Sequence, residues 1–435
     1  AHIQEMDAEW RNRKRLRKGE PPEEPLYTVK DAEASLQYLS SHHYQELIEP
    51  APGVKIRFQD AGHIMGSAIA EVWITEDDET IKIVFSGDLG QKNQPIIKDP
   101  TIVSEADYVL MESTYGNRLH VDSGNKAELL KEIILKMLRS GGNLVIPAFT
   151  VGRTQDLLYH IKTLLLKGEI PKIPVYIDSP MAVSVTEIYR EHPGYYDEQT
   201  LAMLVAGESP FEFEGLHFIR TADESKQLNE TANRSIIISA NGMCESGRIL
   251  HHLKHNLWRS DSHILFSGYQ AEGTLGRRLL EGAKVVKIMG EEINVQATIH
   301  SIDGFSAHAD QAGLLEWLSG FVKKPRGVFL VHGEPDVARE FAAKIQQQLN
   351  IPVQIPKQGE SFQLNATAHL AHMHLEFEPT ELRKYHAVRT VTDMEHMVLA
   401  FKNRLRKADY SDSKRYLEGL RKLLDELETT IEKHG

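Results

Sequence analysis

Short apolar runs that stop at a histidine or an acid recur along this chain, and that pattern constrains its fold more than any other feature. Val54–Phe58 leads into Asp60-Ala-Gly-His63, Ile81–Phe85 into Ser86-Gly87-Asp88, and Tyr108–Met111 into Glu112. Val328–Val331 leads into His332-Gly-Glu334. Val54, Ile56 and Phe58 alternate with Lys55 and Arg57, the period of a half-buried strand. Further strands are expected at Ala68–Ile74, Leu144–Ile146, Val175–Ile177, Ser235–Ser239 and Ile264–Phe266. Helical segments are expected at Lys126–Arg139, Arg153–Leu166, Ala182–Arg190, Arg248–Trp258, Gln311–Phe321 and Pro335–Leu349. Alternation of the two kinds of segment specifies an α/β layered fold. Side chains at one end of adjacent strands converge, so His63, Asp88 and His332 can meet at one centre.

What such a centre can hold follows from composition. The chain has one cysteine, Cys244, which excludes an intramolecular disulfide framework or a cysteine-rich zinc module and reads as a packing residue. Any metal must therefore be held by imidazole and carboxylate, and there are 21 histidines to draw on. That donor set suits zinc, and a carboxylate can bridge two ions. The net charge of −12 argues against a generic basic nucleic-acid binder while leaving room for a local basic channel. The 435 residues suit two or three domains. No apolar run approaches the roughly 18 residues of a membrane span, and no signal segment opens the chain, so a cytoplasmic protein without a membrane partner is expected.

Near the start, Ile3, Met6 and Trp10 have helical spacing, so a helix running into the basic stretch Arg11–Lys18 is expected, with further residues upstream of Ala1. Thr28 and Asp31 have capping-box spacing and open a helix through Leu36 and Leu39. From about Thr392 the chain reads as helical. Leu417, Leu420, Leu424, Leu427 and Ile431 form a narrow seam suited to a partner helix, either in a homodimer or on a related subunit.

Five stretches occur in a telling order: Asp60-Ala-Gly-His63-Ile-Met-Gly-Ser-Ala68, Phe85-Ser-Gly-Asp88, Glu112-Ser-Thr-Tyr-Gly116, Ser306-Ala-His308-Ala-Asp310 and Leu330-Val-His332-Gly-Glu334. Together they resemble the ordered motifs of the β-CASP nucleases, metallo-β-lactamase-fold enzymes that cut RNA. The resemblance implies an N-terminally incomplete αββα sandwich from residues 1–147 and 298–365. It also implies an α/β β-CASP cap inserted at 148–297 and a largely helical extension at 366–435. The activity it implies is hydrolysis of RNA phosphodiester bonds by a hydroxide activated between two zinc ions, in either endonucleolytic or 5′-to-3′ exonucleolytic mode. His63 would ligate one zinc, His332 the other, and Asp88 would bridge them. Glu112 would hold His308, the general acid for the departing 3′-oxygen. The family's His-x-His-x-Asp-His signature occurs nowhere in these residues and would lie before Ala1. Without it each ion has two protein ligands against the three or four of a stable zinc site. The alternative reading is a non-catalytic RNA-binding or scaffold subunit.

Arg153, Arg248 and Arg277 follow glycine-containing turns and, with Ser306, are candidates to bind substrate; a salt-bridge role is equally open for each arginine. His251, His252 and His255 share a helix, but no glutamate completes a metalloprotease pattern, so a solvated or backbone-lining cluster is expected. His369, His372 and His374 read as surface or strand residues.

Overall fold

Helix formation begins almost at once. In the computed structural model, which describes residues 1–120 and 125–364, α1 spans His2–Arg17 and α2 spans Val29–Ser35. The capping box opens α2: Asp31 N donates to Thr28 Oγ1 and Thr28 N donates to the Asp31 carboxylate. Met6 and Trp10 on α1, and Leu36 and Leu39 just past α2, stay exposed. Five strands follow: β1 Leu47–Ala51, β2 Val54–Asp60, β3 Ala68–Glu76, β4 Glu79–Phe85 and β5 Tyr108–Glu112. The chain then alternates through α3 Lys126–Ser140, β6 Leu144–Pro147, α4 Arg153–Leu166, β7 Val175–Ile177, α5 Pro180–Glu191 and α6 Glu198–Val205. Next come β8 Leu216–Phe218, α7 Ala222–Thr231, β9 Ile236–Ser239, α8 Ile249–Asn256, β10 His263–Phe266 and α9 Leu275–Leu280. A hairpin of β11 Val285–Ile288 and β12 Glu291–Asn294 leads to β13 Thr298–Ser301, α10 Gln311–Ser319, β14 Gly327–Val331, α11 Pro335–Leu349 and β15 Val353–Gln354.

Residues 1–356 belong to one unit with two principal sheets. The first runs β1-β2-β3-β4-β5-β14-β15, antiparallel as far as β4 and parallel beyond it. One of its faces carries Ile69, Val84, Val109, Met111, Val328 and Leu330, which pack with Leu314, Trp317 and Leu318 of α10 and Phe341 and Ile345 of α11. On the opposite face Val54, Ile56, Phe58 and Val72 are half-buried, and Ile74 and Phe85 are each 39% exposed. Toward the parallel end of that same face Ile83, Tyr108 and Phe329 are buried.

The second principal sheet, β13-β10-β6-β9-β7-β8, is parallel throughout. Its central strands β6, β9 and β10 are buried along their whole length, as helices on both faces require. Leu130, Ile134, Leu157 and Ile161 from α3 and α4 cover one side; Ile249, Leu253, Leu275 and Leu279 from α8 and α9 cover the other. β6 and β13 fall just outside residues 148–297, so this sheet reaches a few residues past both of those bounds. Residues Lys357–Leu364 belong to a second unit, within which Lys357 N donates to Glu360 Oε2 at 2.8 Å. The leucine seam and His369, His372 and His374 lie outside the described residues. Among the described residues no helix is long and apolar enough to cross a membrane.

Candidate active site

The loops after β2, β4, β5 and β14 and the segment before α10 are stitched together by backbone contacts. Gly90 N donates to Ala61 O at 2.9 Å, and Ala309 N donates to Leu89 O at 2.7 Å. Gln91 N donates to Ala307 O at 3.2 Å, and Ser113 N donates to His332 O at 3.2 Å. A Cβ on Gly90 would lie 1.6 Å from Gly62 O, so only glycine lets the first two loops close this tightly. Asp60 Oδ1 accepts from Gly62 N at 2.9 Å and shapes the turn that presents His63.

Four of the sequence-predicted site residues meet around Asp88. Its Oδ1 lies 3.2 Å from His332 Nδ1 and its Oδ2 lies 4.0 Å from His63 Nε2. The His308 ring centre is 4.4 Å from that of His63 and 5.8 Å from that of His332. Behind them Glu112 is 1% exposed, with its two carboxylate oxygens 3.0 and 3.2 Å from His308 Nδ1. A carboxylate can only accept, so Nδ1 carries the proton and Nε2 is left as the nitrogen for exchange. Leu89 N donates to Glu112 Oε1 at 2.5 Å, which fixes the carboxylate in turn. Burial alone would depress the His308 imidazole, but its hydrogen bond with Glu112 and the charges of Glu112 and Asp88 raise its pKa. His63 goes the other way, down to about 4, through burial and the neighbouring His308 charge. Two imidazoles in one centre are thus pushed apart in protonation state.

Donor atoms of His63, Asp88 and His308 lie within 4.8 Å of one another, as do those of Asp88, Glu112 and His332. Asp88 belongs to both groups, which is the arrangement a carboxylate shared by two cations needs. Glu112 and His308 are close enough to join, yet each is already spent on the other. This nitrogen and oxygen donor set fits zinc.

A cleft of about 470 Å³ opens beside His63 and His308, with Tyr115, Phe149, Arg153 and Tyr269 among its walls. Two of the predicted substrate-binding residues lie in it. Arg153 Nη1 donates to Ser267 Oγ at 3.3 Å, and burial lowers its guanidinium pKa to about 10. Ser306 is 4% exposed and lines the same cleft. The other two arginines are held by carboxylates and are not among the residues lining the cleft. Arg248 Nη1 lies 2.6 Å from Asp178 Oδ1, and Asp178 also accepts from Ser225 Oγ at 2.5 Å and contacts His252 Nε2 at 2.6 Å. Arg277 Nε lies 2.7 Å from Oε1 of Glu281, the C-cap of α9. His252 is therefore a buried partner of Asp178, while His251 and His255 face outward. Cys244 is buried in the apolar core, where burial pushes its thiol pKa up.

Sequence reading missed His120, whose Nε2 lies 3.0 Å from His308 O and whose N donates to Asp310 Oδ2 at 3.0 Å. It missed the role of Asp310 as well, the N-cap of α10, which accepts from Gly313 N at 2.9 Å. Together they brace the His308 backbone. The Ser-Ala-His-Ala-Asp string ahead of a helical period could have indicated the cap; nothing local marks His120.

A family model described as Beta-Casp domain matches residues 154–279, and one described as Zn-dependent metallo-hydrolase RNA specificity domain matches residues 292–356. A protein of Thermus thermophilus named as a ribonuclease is 37% identical over 72% of this chain and 70% of its own length. An RNase J-like protein of Methanocaldococcus jannaschii is 30% identical over 77% of this chain and 76% of its own. The transcription termination factor FttA of Methanothermobacter thermautotrophicus is 31% identical over 79% of this chain, which spans about half of that relative, 55%. With these likenesses added to the ordered motifs and the α/β sheets that carry them, the chain belongs to the β-CASP family of metallo-β-lactamase-fold RNA nucleases.

Proposed function

We propose that this chain hydrolyses RNA phosphodiester bonds with zinc, at the centre formed by His63, Asp88 and His332, in a cleft between a metallo-β-lactamase part (1–147 and 298–365) and a cap (148–297). The observation that carries the reading is the Glu112–His308 pair set beside Asp88, whose two oxygens point to His63 and His332. His63 and His332 would hold one ion each and Asp88 both. Zinc bound there would supply a nucleophile from water at neutral pH and neutralise the phosphate.

Each of this chain's own groups then has a task. Glu112 holds the His308 ring in one tautomer and favours its protonated form, so His308 can deliver a proton to the departing 3′-oxygen. His120 and Asp310 keep the His308 backbone in place. Arg153, with its hydrogen-bonding edge beside the cleft, balances phosphate charge. Ser306 adds a hydroxyl at the same wall.

Elemental analysis paired with cleavage of a labelled RNA tests the reading. In protein carrying the His-x-His-x-Asp-His segment, two zinc ions per chain and RNA cleavage should appear together, and Asp88→Asn should abolish both. Fully metallated protein that leaves RNA intact would replace the nuclease reading with that of a scaffold subunit.

A further inference from the structure

Beyond the reacting centre, the cleft has aromatic wall residues with no part in the chemistry above, and an arginine packs on two of them. β6 is buried throughout, yet Phe149, two residues past its end, is 45% exposed and lines the cleft. A Cβ at Gly242 would lie 3.2 Å from Cδ2 and Cε2 of this ring, so the glycine seats one edge of it without a covering side chain. Tyr115 and Tyr269 also line the cleft, and beside it the Arg118 guanidinium carbon is 5.3 Å from the Tyr115 ring centre and 5.9 Å from that of Tyr269. Both rings are fixed: Tyr115 is 5% exposed, and Tyr269 OH donates to Glu334 Oε1 at 2.7 Å. Arg118 itself is exposed and, among the described residues, makes no ion pair.

An arginine held by aromatic faces keeps its N–H edge free and is preorganised for a phosphate. An exposed ring offers any unpaired base a stacking surface. We infer that Arg118 takes a backbone phosphate of the RNA strand away from the scissile bond, and that Phe149 stacks one of its bases. This rests on the nuclease reading and adds to it two residues that hold the strand beyond the scissile bond. Neither residue takes part in proton transfer or metal binding; both position the strand.

Binding of an uncleavable 2′-O-methyl single-stranded RNA carrying 2-aminopurine at successive positions tests the inference in the metallated protein. Arg118→Ala should weaken binding about tenfold and flatten the dependence of log Kd on log salt by about 0.7, one phosphate's worth on a single strand. Arg118→Lys should keep the salt dependence, since the charge remains. Phe149→Ala should abolish the quenching of 2-aminopurine at one position and weaken binding about tenfold, while Phe149→Trp retains the quenching. Binding of the same sequence as a duplex should not respond to Phe149→Ala. If wild-type protein binds the single strand and Arg118→Ala keeps its affinity and salt slope, or Phe149→Ala keeps the quenching, the inference falls and the nuclease reading stands. If the wild-type protein binds no RNA, both fall.

Discussion

A proton donor needs a partner that fixes its tautomer and raises its affinity for the proton, and Glu112 is placed to give His308 both. Replacing His308 with alanine should slow RNA cleavage by about 10²–10⁴-fold, the usual contribution of general acid–base catalysis. Zinc content and RNA affinity should stay near wild type. Elemental analysis beside single-turnover kinetics checks this, and zinc lost in step with activity would make His308 a ligand instead. Another buried acid, Glu71, has a purely structural task. It is 2% exposed and lies 2.7 Å from both Arg57 Nε and Lys82 Nζ, with Gln59 Nε2 donating at 2.9 Å. Burial would raise its pKa, but these three partners win and hold it at about 2 against an ordinary 4.5. A carboxylate depressed in the folded state stabilises fully above its unfolded pKa, and the contribution fades as pH falls from about 4.5 toward 2. Glu71→Gln should therefore cost about 3 kcal/mol near neutrality, because Lys82 is left buried without its counter-charge. Denaturant titrations at pH 7 and pH 3 should show the gap between variant and wild type narrowing at the lower pH.

Among the elements, the loops at the strand ends decide whether a centre forms at all. The β2 loop and the β4 loop touch through backbone alone at Gly62 and Gly90. Gly90→Ala forces a methyl group into Gly62 O, so the loops must separate and carry His63 away from Asp88. The expected result is a loss of more than about 2 kcal/mol together with much weaker zinc binding. Thermal unfolding and metal titration read the two effects separately, and a variant with wild-type zinc affinity would show that the loops tolerate separation. Far from the centre, Thr221 and Glu224 form a capping box at the start of α7. Thr221→Ala should cost about 1 kcal/mol without changing zinc binding or cleavage, a useful control for stability loss alone.

For the whole molecule, a net charge of −12 means that RNA must be drawn to a local concentration of positive charge, with the proposed zinc ions expected to add to it. Removing zinc with a chelator should abolish cleavage, lower the midpoint of thermal unfolding and weaken RNA binding together, with all three restored by added zinc. Unchanged RNA cleavage after complete metal removal would exclude the proposed chemistry.

The α/β alternation, most strand positions and the long helices Arg153–Leu166 and Pro335–Leu349 follow from periodicity alone, because burying one face leaves a regular apolar pattern. Helices α6, α7 and α9 and the β11–β12 hairpin escaped that reading. α6 buries only Thr200 and α7 only Ser225 and Leu228, which sets no apolar period. The six residues of α9 and the four of each hairpin strand hold too few turns or alternations to register. His63, Asp88, Glu112, His308 and His332 were legible because strand ends and ordered motifs mark them. Which arginines face the cleft was not legible. Arg153 and Arg248 both follow glycine turns in the same α/β region, yet one lines the cleft and the other is spent on Asp178. Local sequence determines whether a residue stands at the end of a strand or the start of a helix, because those are short-range steric and hydrogen-bonding choices. Only the tertiary structure decides which carboxylate lies opposite it. Asp178 and Arg248, like Glu112 and His308, meet across long stretches of chain through the packing of whole layers.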